Sequence, residues 1–167
     1  MDALLDFSQK SGIYDFMHST WGWPAVETLH FMGLSLLIGT VGLFDLRMLG
    51  LAKGIPMNSL HRLVPWGVAG YALNVMTGVM FVTSAPDQYL FNPAFQVKLA
   101  LMGIAGINVL LFYRFPFDRV RRADAEADAP RAAKVAAAIS LCCWIGVIVC
   151  GRLITYYRPP YHWCFWC

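Results

Sequence analysis

AVETLHFMGLSLLIGTVGLFDL, residues 25–46, decides the fold. A helix needs about 20 mostly apolar residues to cross roughly 30 Å of hydrocarbon. This stretch supplies them, with Glu27 near one end, Asp45 near the other, and a single imidazole, His30. Three further stretches, 63–84, 94–113 and 135–156, are equally long and apolar. The 167 residues are 58% hydrophobic and 14% charged, with a mean hydropathy of +0.53. Soluble domains carry about 25% charged residues, so this chain has too few charges to cover a water-facing surface. That excludes an ordinary soluble enzyme, a disordered chain and a small disulfide-stapled scaffold. A net charge of +3, concentrated in two loops, does not suit a nucleic-acid partner. The expected fold is all-α, an integral membrane four-helix bundle over residues 23–157, whose first partner is the lipid bilayer.

Residues 1–22 do not make a signal peptide, because Asp2, Asp6 and Asp15 stand where a basic region belongs. Leu4, Leu5 and Phe7, then Ile13, Tyr14, Phe16 and Met17, predict short amphipathic interfacial turns. The loop after the first span holds Arg47, Lys53 and Arg62. The loop after the third holds Arg114, Arg119, Arg121, Arg122, Arg131 and Lys134. Lys10, Lys98, Arg152 and Arg158 fall on the other side, so the bias in basic residues turns both termini outward. In a bacterial inner membrane that places both termini in the periplasm. Asp118, Asp124, Glu126 and Asp128 mix with the arginines of the third loop and read as a solvated helical extension. Pro24 and Pro93 precede the first and third spans, as helix-start prolines do.

An ionisable residue inside a span costs at least ~2.5 kcal/mol and needs a partner or a task. His30 lies about 8 Å below the outer surface by helix rise, one turn from Glu27. The second span places Thr77 and Gly78 at that depth, with Phe81 above them, while Lys98 and Arg152 come from the third and fourth. An imidazole can ligate haem iron, two cations can neutralise propionates, and a glycine admits a flat macrocycle. The plainer alternative has His30 hydrogen-bonded to Glu27 or a carbonyl, with Lys98 and Arg152 snorkelling to the interface. An inner layer holds Asp45, Arg47, His61, Arg62 and Arg114, read as an interfacial imidazole beside an Asp45–Arg ion pair. His61 lies roughly 25 Å from His30 in depth, so it would belong to a second haem. Between the layers, Gly70, Asn74 and Gly78 form a small-residue stripe with an amide for interhelical bonding. Asn108 faces the core, Gly103 and Gly106 thin the third span, and Ser35 and Gly39 make a small-xxx-small pair.

Cys142, Cys143 and Cys150 lie within the fourth span as small apolar groups. The tail, 158–167, brings His162, Cys164 and Cys167 close together, a set suited to copper or zinc. In an oxidising compartment the two thiols would equally suit a disulfide. Trp21, Trp23, Trp163 and Trp166 make an aromatic belt at the outer interface.

From about Trp23 to Tyr113 the chain resembles the CopD/HemJ group, the copper-resistance D-type and haem-binding, protoporphyrinogen-oxidase-type membrane modules of bacteria. The resemblance rests on Leu29-His30 followed by Gly39 and Arg47, and on Arg62-Leu63 with Pro65. It extends to Thr77-Gly78 and Lys98-Leu99. It implies that His30 ligates haem b and that Lys98 stands near the pocket. Where oxidase-type members carry another histidine in the third span this chain has Asn108. The second axial position is thereby left to His18, His162, Met32 or Met102. Three functions are expected. One is a b-type haem protein for electron transfer or quinone- or porphyrin-linked oxidoreduction at the outer face, served by a redox partner. A second is copper binding or uptake through His30, methionines and the His162/Cys164/Cys167 tail. The third is a structural or assembly subunit of a larger membrane complex, whose small-residue faces also suit a homo-oligomer. No nucleophile–base pair, phosphate loop or zincin motif supports a hydrolase or an ATP-driven pump.

Overall fold

Apolar residues on every side of a helix leave no solvent face, so such helices must be covered by lipid or by each other. A computed structural model describes residues 1–51, 54–115 and 129–157. Its elements are α1 (Asp2–Lys10), α2 (Ile13–His18), α3 (Gly22–Leu49), α4 (Met57–His61), α5 (Val64–Ser84), α6 (Pro86–Leu90), α7 (Pro93–Arg114) and α8 (Arg131–Leu153). The last runs into a 3-10 turn, Ile154–Tyr156. Four helices are long and apolar enough to span a bilayer: Gly22–Leu49, Ser59–Ser84, Pro93–Arg114 and Arg131–Tyr156. They contain the four expected spans, and most extend beyond them. Phe31, Met32, Met76, Ile107, Leu110 and Ile145 point outward, as a lipid-facing surface requires. The chain is a multi-pass, all-α membrane protein built on a four-helix bundle, and no strand occurs among the described residues.

The helices pack in the order α5, α3, α8, α7, while α5 and α7 hardly touch. The α3–α5 seam is the tightest. A Cβ on Gly70 would stand 2.7 Å from the Gly33 carbonyl oxygen, and one on Gly33 would stand 2.7 Å from Asn74 Nδ2. Only paired glycines allow backbones this close. Asn74 donates to the Gly70 carbonyl of its own helix at 3.0 Å, so it is not the interhelical amide its position suggested. Asn108 has that role, donating from α7 to the Ala136 carbonyl of α8 at 2.8 Å. Gly78, Gly103 and Gly106 meet nothing within 4 Å, and the Ser35/Gly39 pair is exposed. Gly33 and Leu37 turn α3 toward its neighbours, and Ser35 falls on the opposite side of the helix.

Three apolar layers fill the bundle. Met17, Val26 and Phe81 lie at the end that carries α1 and α2, labelled outer after the expected orientation; Leu37, Ala105, Cys143, Trp144 and Val147 in the middle; Met48, Phe112, Ala133 and Ala137 at the opposite end, labelled inner. The N-terminal turns form as expected, but they dock on the bundle. α1 and α2 pack on α5, burying Ser8 and Met17. Trp21 is exposed at the outer end. The charged run from Asp118 to Asp128, and Trp163 and Trp166, lie outside the described residues.

A clamp at the outer end had no counterpart in the sequence beyond the helix-start proline, Pro93. Asn92 is fully buried. Its Oδ1 accepts from the Ala94 and Phe95 amides at the start of α7 (3.1 and 3.4 Å). Its Nδ2 donates to the carbonyls of Ile154 and Tyr157 beyond α8 (3.0 and 3.1 Å). Asn92→Ala removes a helix cap and two buried bonds, and is expected to lower stability by about 2–3 kcal/mol. Denaturant unfolding of the detergent-solubilised chain, followed by circular dichroism, checks this, and an unchanged midpoint would dismiss the clamp. Gly70→Val forces α3 and α5 apart and is expected to cost about 1–3 kcal/mol by the same assay.

Candidate functional site

His30 stands about one turn outward of Gly33 on α3, so the glycine contact carries its ring against α5. Nδ1 lies 2.7 Å from Thr77 Oγ1. The Thr77 hydroxyl is buried and donates to the Leu73 carbonyl of its own helix at 2.7 Å, with the Asn74 carbonyl at 3.2 Å. A hydroxyl has one proton to give. With that proton committed to the backbone, Thr77 accepts from His30, which assigns the proton to Nδ1 and leaves the Nε2 lone pair bare. Phe81 meets the imidazole edge-on at 5.7 Å and packs on Trp23 at 5.1 Å, so the ring is held on two sides. This is the arrangement of an oriented ligand histidine: one nitrogen anchored, the other available.

Lys98 of α7 is half-buried and lies within electrostatic reach of His30. Its Nζ lies 3.8 Å from where a Gly151 side chain would begin. Gly78, beside Thr77, opens onto space free of atoms for 4 Å. Arg152 follows Gly151 and is exposed. The structure therefore joins His30 to Thr77, brings Lys98 within electrostatic reach, and sets Gly78 and Arg152 at the margin. Glu27 is exposed and takes no part in holding the imidazole, which bonds Thr77 instead.

The remaining candidates are dispersed. His18 bonds the Tyr14 carbonyl at 2.9 Å and stacks on that ring within α2. Met32 points outward, and Met102 lines a cavity in the inner half. His61 is exposed at the inner end, near the Tyr113 ring. Among the described residues no three His, Cys, Asp or Glu side chains gather as a metal site. His162, Cys164 and Cys167 lie outside the described residues.

The inner layer corrects one expectation. Asp45 is 5% exposed and stands beside Ser140 of α8, not in an ion pair with an arginine; its Oδ2 has no partner. Arg47 turns the other way, and its Nε donates to the Ile55 carbonyl at 3.0 Å. The cause is the length of α3, which runs to Leu49 and draws Asp45 inside the bundle. A carboxylate within a span was the available signal, and its place near the end of the apolar run disguised it.

No curated protein and no solved structure matches the chain. The DUF6644 family, described as a family of unknown function, matches residues 6–157, and the chain belongs to it.

Proposed function

We propose that this protein is a b-type haem protein of the bacterial inner membrane, serving electron transfer or quinone- or porphyrin-linked oxidoreduction at the outer face. The observation that carries this reading is the Thr77-anchored His30, with its Nε2 free and half-buried at one level of the bundle. A bare ion at that level would find no set of three His, Cys, Asp or Glu side chains among the described residues, whereas haem brings four nitrogens of its own. His30 would ligate the iron, Lys98 and Arg152 would meet the propionates, and the open side of Gly78 would admit the ring. Bound haem supplies one-electron chemistry. The chain's own part is to fix the imidazole tautomer through Thr77, to hold its plane through Phe81, and to set a positive charge beside it. The resemblance of Leu29-His30 and Lys98-Leu99 to haem-binding modules supports the same assignment.

An absorption spectrum of the detergent-purified chain, oxidised and dithionite-reduced, with a pyridine haemochrome count, tests the proposal. The parent is expected to give a b-type spectrum near one haem per chain. His30→Ala is expected to retain its helices and lose the haem, and full occupancy in that variant would sink the assignment. Thr77→Val removes the acceptor for Nδ1–H and is expected to weaken haem retention about 10–100-fold, the usual effect of losing such a support.

The orientation rests on the basic residues, nine of thirteen lying in the loops after the first and third spans. A phosphatase reporter that is active only in the periplasm, fused after Cys167, is expected to be active. Activity from the same reporter inserted between Arg122 and Ala123, rather than at the terminus, would reverse the topology.

A further inference from the structure

The poor contact between α5 and α7 leaves a cleft in the inner half of the bundle, a cavity of about 310 Å³. α5 contributes Val68 and Tyr71 to its lining, and α7 contributes Gly106 and Val109. Val68 and Gly106 are exposed on the outer surface, so the cleft communicates with the lipid phase. α3 and α8 form the opposite wall, with Phe44, Asp45, Ser140 and Trp144.

Two residues of that wall each carry an unpartnered polar atom. Asp45 Oδ2 and Trp144 Nε1 are buried without a hydrogen bond, on residues 5% and 8% exposed. Asp45 meets Ser140, and Trp144 lies one turn further along the same face of α8. An unpaired buried polar atom costs about 1–3 kcal/mol in a protein interior. Here the two have opposite character, one an acceptor and the other a donor, and their residues line the same apolar cavity with aromatic walls. One aryl hydroxyl satisfies both, since its proton is donated and its oxygen accepts.

We infer that this cleft binds a lipid-soluble hydroquinone-type amphiphile. Its aromatic head lies between α5 and α7, its hydroxyl donates to Asp45 Oδ2 and accepts from Trp144 Nε1, and its alkyl tail leaves through the open seam into lipid. The site lies at the other end of α3 from His30 and stands independently of the haem reading.

The test is an equilibrium binding isotherm of 2-decyl-1,4-benzenediol on the full chain in phosphatidylcholine nanodiscs, with empty nanodiscs subtracted. One saturable site per chain is expected. The dimethyl ether of the same probe cannot donate and is expected to bind at least about tenfold more weakly. Trp144→Phe and Asp45→Leu are each expected to weaken the diol about tenfold. Asp45→Leu should unfold no earlier than the parent, because it removes a poorly partnered carboxyl; a carboxyl with a purely structural role would show the reverse. Gly106→Leu fills the cleft from a position where a side chain meets nothing within 4 Å, and is expected to abolish saturable binding. Equal affinity for the diol and its ether, parental binding by Gly106→Leu, or uptake that never saturates would overturn the inference. His30→Ala is expected to bind the diol as the parent does, so haem loss and diol loss are read separately.

Discussion

The approach of Gly33 to Gly70 sets the register on which everything outward and inward of it depends. In lipid, apolar side chains gain little by exchanging a hydrocarbon neighbour for a helical one, so close packing and hydrogen bonds decide which helices pair. Two missing side chains bring the α3 and α5 backbones together, where a Cβ on Gly70 would be 2.7 Å from the Gly33 oxygen. With the helices antiparallel, that contact aligns Thr40 with Gly67, Gly33 with Asn74 and His30 with Thr77. The imidazole meets its hydroxyl because the glycines one turn away on α3 and two turns away on α5 leave the helices no other comfortable spacing.

The same economy explains the open seam. α3 pairs with α5 through glycines, and α7 with α8 through Asn108 and the fit of Leu101 against Gly146. The two pairs join along α3 and α8, where Leu37, Cys143 and Val147 interlock. α5 and α7 are left at the ends of the row with no such device between them. Gly78, Gly103 and Gly106 have open space beside them, so small residues alone do not bring helices together. They do so where a facing residue fills the notch, as Gly33 and Gly70 do for each other and Leu101 does for Gly146.

How much of this the sequence disclosed follows from what each signal measures. Length and apolarity identify a span because the bilayer has a fixed thickness, so all four spans were legible, as were the short amphipathic turns before them. Helix rise gives depth, so Thr77 could be set level with His30 and His61 at the far end. Rotation about each axis is different, because helices apolar all round carry no phase. Ser35/Gly39 therefore looked as good a seam as Gly33 and proved exposed, and Asn74 looked interhelical although its amide bonds its own helix. Asp45 was misplaced for a related reason. The end of an apolar run was taken as the end of the membrane-embedded helix, yet α3 continues to Leu49. Asn92 was hidden because its partners, Ile154 and Tyr157, come from the far end of the chain.

Polar groups in this bundle fall into two kinds, saturated and unsatisfied. Asn92, Asn108 and Thr77 are saturated: each buried donor or acceptor meets a backbone group or another side chain. Such groups fix geometry at little net cost. Ser8 Oγ, Ser84 Oγ, Asp45 Oδ2 and Trp144 Nε1 are buried and unsatisfied, the last two on residues that line the cleft, and His30 Nε2 is bare by assignment of its tautomer. A leucine at position 45 or a phenylalanine at position 144 would serve packing alone better than these side chains do. Their presence near the centre of an apolar bundle is a cost that folding does not explain. The proposed ligands, a metal-bearing ring at one end of α3 and a hydroxyl at the other, would supply missing partners. One central helix thus carries two demands about fifteen residues apart, roughly 22 Å by helix rise. Because α3 packs tightly against both α5 and α8, neither end can shift without disturbing the seams that position the other.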